Sequence, residues 1–452
     1  MKTGAASEFV DRMEPAYFAA LAEEAMALVR ELYPVCRSIT GEGVRRTLAR
    51  LHEIVPLEVR EVPTGTTVFD WEIPREWNVR SASITGPDGN TVVDFADHSL
   101  HLVSYSVPFR GRLSLEALRP HLHSLPEHPD WIPYRTSYYT DYWGFCLRHR
   151  DLEALAPGEY DVVVDTTLEP GSLSYGEVLL PGRSAREVVV YTHTCHPSLA
   201  NDNLTGMAVA ALLARELQGR ELELSWRFVF GPGTIGSLAW LAANEGRLSD
   251  IAHGLVIGLL GDPGPLTYKA SRRGDAVVDR AARRVLADAF PGARRVDFEP
   301  YGYDERQFCS PGFNLPFGRL TRSPNGTYPE YHTSADNPEL VGAEYLAESM
   351  TALARLGAVL DRNRECLNLS PYGEPQLGKR GLYGSVGGRA PGQLQQAMLW
   401  VLNLSDGSHD LLAIAERSGL PFPDIEEAAQ HLEAAGLLGP HDEESVWQGE
   451  NR

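Results

Sequence analysis

"REVVVYTHTCHPSLANDNLTGMAVAALLARELQG", residues 186–219, decides the fold. Val188, Val189, Val190 and Tyr191 form an apolar run of strand length with no polar residue alternating in it. Such a run reads as a strand buried on both faces, the habit of parallel sheets. From Gly206 the apolar residues of "GMAVAALLARELQG" close into a helix that ends at Gly219. Strand, polar loop and helix make one βα step. The loop carries His193, Cys195, His196 and Asp202 at the strand's carboxyl end, where open α/β sheets hold their ligands.

The same alternation continues outward. "LSWRFVFGPG" and "HGLVIGLLG" read as further strands, and "GSLAWLAANEG" and "DAVVDRAARRVLADAF" as helices. Upstream, Pro15–Tyr33 and "GEGVRRTLARLHEIV" are helical and "LEVREVPTG" is strand-like. The expected fold is α/β: a mixed, mostly parallel twisted sheet with helices on both faces. Residues 71–174 break the pattern with short alternating runs, such as "TVVDFADHSLHLVSYSVPF", between turn signals. They read as a β-rich insertion in a discontinuous α/β domain of residues 1–70 and 175–367. A Pro/Gly-rich linker, 368–390, then leads to three short amphipathic helices in 391–452, the pattern of a winged helix.

Composition narrows the functional classes. The 452 residues are 43% hydrophobic and 23% charged, as in an ordinary soluble protein. Lys and Arg number 41 against 61 Asp and Glu, a net charge of −20 that repels nucleic acid and anionic membrane. From Pro391 onward the bases are Arg417 and Arg452 against eleven acids, so the winged helix reads as a structural or protein-contact module, with self-association one use of it. DNA binding by this module is the weakened alternative. Five scattered cysteines without a C-x-x-C pair point to a reducing compartment. "MKTGAASEFVDRMEP" has no apolar core of signal length, and "YFAALAEEAMALVREL" is too charged to span a bilayer, so the expected location is cytoplasmic. G-x-x-x-x-G-K-[ST] and G-x-S-x-G are both absent, which disfavours a P-loop NTPase and a nucleophile-elbow hydrolase.

The loop residues have the chemistry of a divalent metal site, since zinc in catalytic sites prefers His with Asp or Glu. Asp262, after "LVIGLLG", and His332, in "YPEYHTSADN", stand at similar edges. Each also has a plain reading: a loop His is commonly a surface residue, and Asp202 can cap the helix that follows.

"HPSLANDNLTG", "LLGDPG" and "YHTSADN", in that order, resemble the zinc aminopeptidase superfamily that includes bacterial leucyl aminopeptidases and glutaminyl cyclases. "YGYDERQFCSPGFNLP" resembles its Ser-Asp-x-x-x-Phe-x-x-x-Gly-Ile-Pro segment. The whole chain is similar to an aminopeptidase-like family with an inserted domain of unknown function and a winged helix after it. The resemblance implies Asp202 as the bridging ligand, Asp262 as the later Asp ligand and His332 as the C-terminal His ligand. Either His193 or His196 supplies the first His. His196 is preferred, because its loop can turn it back to Asp202. In these aminopeptidases a Glu-Glu pair follows the next strand, one acting as general base and the other binding a second metal. Here Gly233 and Thr234 stand in its place.

Three accounts follow: a single Zn2+ with no second metal, a base supplied from elsewhere (Glu330 being nearest in sequence to His332), or a non-catalytic binding or scaffold protein. Asp304 and Arg306 could face the site from "YGYDERQF", and Arg135, Tyr138 and Arg273 are candidate substrate contacts. Arg135 suits a carboxylate. With His98, His101, Tyr134, Tyr139 and Trp143, Arg135 and Tyr138 could form an aromatic wall with one cation over the metal, but most of the insert's aromatics read as that insert's own core. The expected activity is zinc-dependent hydrolysis of an amide bond in a small peptide or N-acylated amine.

Overall fold

The computed structural model describes residues 15–382 and 392–441. An eight-stranded sheet runs in the order Glu58–Pro63, Ser172–Leu180, Leu224–Gly231, Ser184–His193, Ile251–Ile257, Phe317–Thr321, Thr267–Lys269, Arg294–Val296. Its four central strands are parallel, and the outer pairings include antiparallel ones. Ser184–His193 lies between two parallel neighbours, with Val190 opposite Phe228 on one side and Leu255 on the other. This explains its uninterrupted valines: both faces and both edges are covered. The helix Thr205–Leu217 is buried over most of its surface because helix Pro15–Leu32 packs on it. That accounts for an apolar run without a polar face.

Within residues 71–174 an antiparallel four-stranded sheet forms, in the order Thr91–Asp94, Glu76–Thr85, Glu159–Glu169, Phe109–Ser114. Tyr160, Val162, Val164 and Thr166 alternate inward along the strand Glu159–Glu169. Its apolar face does not close on itself. Trp77, Ile84, Phe145 and Val162 belong to one continuous core with Val189, Tyr191, Trp240 and Phe308 of the α/β part.

A second compact unit comprises Val277–Pro291 and residues from Arg355 onward. Its helices Gln393–Leu404, Leu411–Ser418 and Phe422–Ala434 accompany a three-stranded sheet in the order Asp406–Asp410, Glu365–Asn368, Leu438–Pro440. This is the winged helix. Glu365–Asn368, at the border drawn from sequence between α/β domain and linker, is the central strand of that sheet. Helix Val277–Ala289 belongs to the same unit, where Arg280 pairs with Asp410 at 3.2 Å and Glu416 at 2.7 Å. Residues 383–391 of the expected linker, and the chain after His441, lie outside the described residues. No described helix is long and apolar enough to cross a membrane.

Candidate metal centre

His193 is the last residue of the central strand Ser184–His193, opposite Gly231 of its neighbour. Three residues on, the loop is pinned from behind: the fully buried Arg37 donates from Nε to the carbonyl of His196 (3.0 Å) and from a terminal nitrogen to that of Leu32 (2.8 Å). Asp202 sits in the short helical turn Ala200–Leu204, with φ −108° and ψ 83°, outside helical geometry. That departure turns its carboxylate toward the strand end.

The asparagines on either side explain the Asn-Asp-Asn sequence. The Asn201 side chain accepts from the Gly261 amide (2.9 Å) and donates to Asp262 (3.0 Å). Asn203 accepts from the Leu259 amide (3.2 Å) through Oδ1, which leaves its Nδ2 to donate to Thr192 Oγ1 (2.9 Å) and the His193 carbonyl (3.0 Å). Each therefore ties the loop to an adjacent strand end. Asp336 completes the frame, accepting from the amides of Asn201 (2.6 Å) and Asp202 (3.1 Å) and from the Tyr328 hydroxyl (3.1 Å).

Three histidines surround the Asp202 carboxylate. His193 Nε2 is 2.6 Å from Oδ1, His196 Nδ1 is 3.6 Å from the same oxygen, and His332 Nε2 is 3.1 Å from Oδ2. Ligand atoms of His193, His196 and Asp202 all lie within 4.8 Å of one another. Side-chain exposures are 2%, 6% and 1% for these three and 33% for His332, so the cluster meets solvent on the His332 side. Burial pushes His193 down and His196 down to about 3, which keeps both imidazoles neutral. Burial alone would raise Asp202, but the neighbouring imidazoles and the hydrogen bonds from His193 and His332 outweigh it and hold the carboxylate well below its usual range. Neutral imidazoles around an ionised carboxylate are the donor set zinc prefers, so the residues present fit that metal.

The two nitrogens of His193 differ. Nδ1 lies 3.2 Å from the Asn203 amide nitrogen, a donor, so the network assigns the ring proton to Nε2, facing Asp202. A histidine binding metal through Nε2 instead directs its other N–H at an acceptor.

Aromatic rings wall the cluster. Tyr134 meets His196 and His332 edge-on (centroids 5.4 and 5.0 Å), Tyr331 stacks on His332 (3.9 Å) and Tyr303 lies 4.4 Å from His193. Burial drives the phenols of Tyr134 and Tyr303 well above their ordinary range, so both keep their protons. Cys195, whose thiol burial pushes up to about 12, faces Tyr303 Oη at 3.3 Å and the Gly233 carbonyl at 3.6 Å. Tyr303 also explains the missing acids. A Cβ on Gly233 would stand 2.6 Å from its Cζ and 2.8 Å from its hydroxyl, so the phenol fills the space of a side chain there.

Not every residue expected from the sequence joins the cluster. Asp262 does not: its four contacts are Ser323 Oγ (2.6 Å), the amides of Gly264 (2.8 Å) and Ser323 (3.2 Å), and Asn201. It lies five residues past the strand Ile251–Ile257 and braces the next turn. Arg135 is exposed although Ile132, Pro133 and Tyr134 before it are buried; its charge acts on Cys146 and His123. Arg273 is exposed and donates to the Asn314 carbonyl (2.8 Å). Tyr138 supports the wall through its hydroxyl, 3.1 Å from that of Tyr134. Glu330 is half-buried in the turn before His332 and holds Thr333 through its backbone carbonyl. Asp304 is fully buried behind Tyr303, neither oxygen has a hydrogen-bond partner, and burial raises it to about 8. Arg306 is half-buried beyond it, with Nε likewise unpartnered.

Sequence reasoning missed Asp336 and Tyr303. Both lie inside motifs already quoted, "YHTSADN" and "YGYDERQF", and only their packing reveals what they do.

Comparison with known proteins bears on the family and the fold. A family model described as a domain of unknown function (DUF4910) matches residues 26–363, and a winged helix-turn-helix model matches residues 364–440. The chain belongs to the DUF4910 family. A Clostridium acetobutylicum protein whose name joins polysaccharide biosynthesis to an aminopeptidase-like domain is 45% identical over 412 residues, 91% of this chain and 95% of that protein. A crystal structure of a proposed peptidase from Clostridium acetobutylicum superposes with a TM-score of 0.91 at 42% identity, covering 96% of this chain and 99% of the other. The zinc aminopeptidase BSAP of Bacillus subtilis gives 0.55 at 14% identity over 74% of this chain and 94% of its own, a likeness of fold alone.

Proposed function

We propose that this chain is a hydrolase that cleaves an amide bond in a small peptide or N-acylated amine with the help of one zinc ion. One observation carries the reading: a buried, ionised Asp202 ringed by His193, His196 and His332. His196, Asp202 and His332 would hold the metal, and the Nε2 proton of His193 would orient the carboxylate. When bound, zinc supplies Lewis acidity toward a carbonyl oxygen and toward water. The chain's own residues do the rest. Tyr134 and Tyr331 against His332, and Tyr303 against His193, limit bulk water, while the partly exposed edge of His332 is left for entry. Glu330, two residues from His332, is assigned the proton transfer to the departing amine, since Gly233 and Thr234 carry no carboxylate.

The clostridial relative's name favours an N-acylated amino sugar as the amine. Five free cysteines support a cytoplasmic location. The acidic winged helix supports a protein-contact role, self-association included, over nucleic-acid binding.

The test is metal content by mass spectrometry of wild type, His196→Ala and His332→Ala, followed by acetate release from N-acetylated amines. The expected result is about one zinc per chain, lost in both variants. No zinc after zinc is offered would overturn the reading. It would favour the second account, a non-catalytic binding protein, for which the Tyr303 ring in the space beside Gly233 is the supporting observation.

A further inference from the structure

The short hairpin Thr67–Val68/Trp71–Glu72 has no part in the cluster described above, yet it touches, at Tyr139 and Phe313, the two chain segments that carry Tyr134 and Tyr303. Val68 anchors it in the core, while Phe69, Trp71 and Tyr139 stay exposed at 40%, 49% and 51%. Trp71 meets Tyr139 edge-on at 5.6 Å, and Tyr139 donates from its hydroxyl to the Glu72 carbonyl at 3.0 Å. Tyr139 follows Tyr138, whose hydroxyl meets that of Tyr134 over His332. On the other flank Phe69 meets Phe313 at 5.2 Å, in the loop after the short helix Glu305–Phe308 that Tyr303 and Asp304 lead into. The hairpin therefore bridges the segment that carries Tyr134 and the segment that follows Tyr303, and presents aromatic rings to solvent.

We infer that this aromatic rim is a sugar-binding subsite, which holds an uncharged glycosyl ring while an acylamino group on the same molecule reaches the histidines. The inference rests on the amide-hydrolase reading and names its substrate class. Aromatic faces are negative and attract the polarised C–H bonds on the flat side of a pyranose. Polar groups around such a platform fix its orientation. Here they are the exposed carboxylates of Asp70 and Glu72, which accept hydrogen bonds from sugar hydroxyls and repel anions. Arg75, the nearby cation in sequence, is answered by Asp141 at 2.7 Å. A lipid chain needs an enclosed apolar groove, and these rings stand half in water.

The experiment is isothermal titration of the full chain with N,N′-diacetylchitobiose, for wild type, Trp71→Ala, Tyr139→Ala and, as a control, Tyr372→Ala, whose ring is 92% exposed elsewhere. Circular dichroism checks that each variant folds. The expected outcome is saturable binding, weakened about tenfold or more by Trp71→Ala and Tyr139→Ala and unchanged by Tyr372→Ala. Three outcomes overturn the inference: no binding of the disaccharide, equal binding by Trp71→Ala, or self-association of wild type that Trp71→Ala abolishes. Preference for a lysine-rich peptide over the disaccharide, lost in Trp71→Ala, overturns it as well, since cation–π contact would then explain the rim. Binding without acetate release leaves the rim standing and removes the hydrolase reading. Acetate release from N-acetylated peptides without disaccharide binding does the reverse.

Discussion

Gly233 stands where a related enzyme carries an acid, and the packing around it predicts what a side chain there does. A Cβ at 233 comes within 2.6 Å of Tyr303 Cζ and 2.8 Å of its hydroxyl, where carbon contacts normally sit at about 3.5–4.0 Å. The backbone has little room to retreat, because the Gly233 carbonyl faces the Cys195 thiol at 3.6 Å. The tyrosine must move instead. It then loses its contact with His193 at 4.4 Å and its bond to Cys195 at 3.3 Å. Overpacking of this kind costs roughly 1–3 kcal/mol, so Gly233→Ala is expected to lower the unfolding free energy measured in urea by that amount.

Tyr303→Ala alone removes a half-exposed aromatic, a loss of at most about 3–5 kcal/mol. Once the ring is gone the extra methyl meets nothing, and Gly233→Ala/Tyr303→Ala should be no less stable than Tyr303→Ala. The double-mutant cycle, measured by urea unfolding in one buffer, should therefore show a coupling of about 1–3 kcal/mol. Additivity within about 0.5 kcal/mol would refute the reasoning and mean that Tyr303 does not fill that space. The same geometry predicts that Gly233→Glu gains no second metal unless Tyr303 is shortened with it.

His193→Asn should keep its zinc while His196→Ala loses it, as read by mass spectrometry; loss in both would make His193 a ligand. Asp304 is raised from 3.8 to about 8 by burial, so its contribution to stability is fully present below about pH 4 and is lost as pH rises through 8. Asp304→Asn should therefore flatten the fall in thermal midpoint between pH 5 and 9, a difference of up to roughly 5 kcal/mol; parallel curves would show the acid to be ionised and paired. In a gel-shift assay at physiological salt the full chain should not retain duplex DNA, and a salt-sensitive shift would restore the winged helix as a DNA reader.

The parts of the site that were legible in sequence are those that a strand end fixes locally. Val188–Tyr191 places His193 at the sheet's edge, and the loop length returns His196 and Asp202 to it. His332 is a candidate from its loop position, but only the resemblance pairs it with Asp202, since 130 residues separate the two. Asp262 was misplaced because position along the chain was taken for position in space. Leu259, at φ 53°, bends the chain after the strand and carries Asp262 to Ser323. Arg135 differs for a simpler reason: the chain leaves the interior after Tyr134, and Arg135 and Thr136 are both exposed.

The insertion was the larger misreading, and its correction bears on function. Its aromatics were assigned mainly to a core of its own, yet residues 132–134 run along the His332 loop like a strand. Tyr134 donates from its amide to the His332 carbonyl at 2.8 Å, Ser334 donates to that of Ile132 at 2.8 Å, and Pro133 bridges Thr333. The segment that closes the cluster is thus hydrogen-bonded to the segment that supplies one of its histidines, and Ile132 and Tyr134 pack in a small core of their own with Leu199, from the loop that follows His196. An antiparallel sheet patterned to cover one face needs a partner for that face. Here the partner is the α/β layer that carries His193. Burial of Trp77 and Val162 against the central sheet, and of Tyr134 against Leu199 beside the histidine cluster, are therefore two separate contacts of the insertion with the α/β part, and no local reading of residues 71–174 contains either.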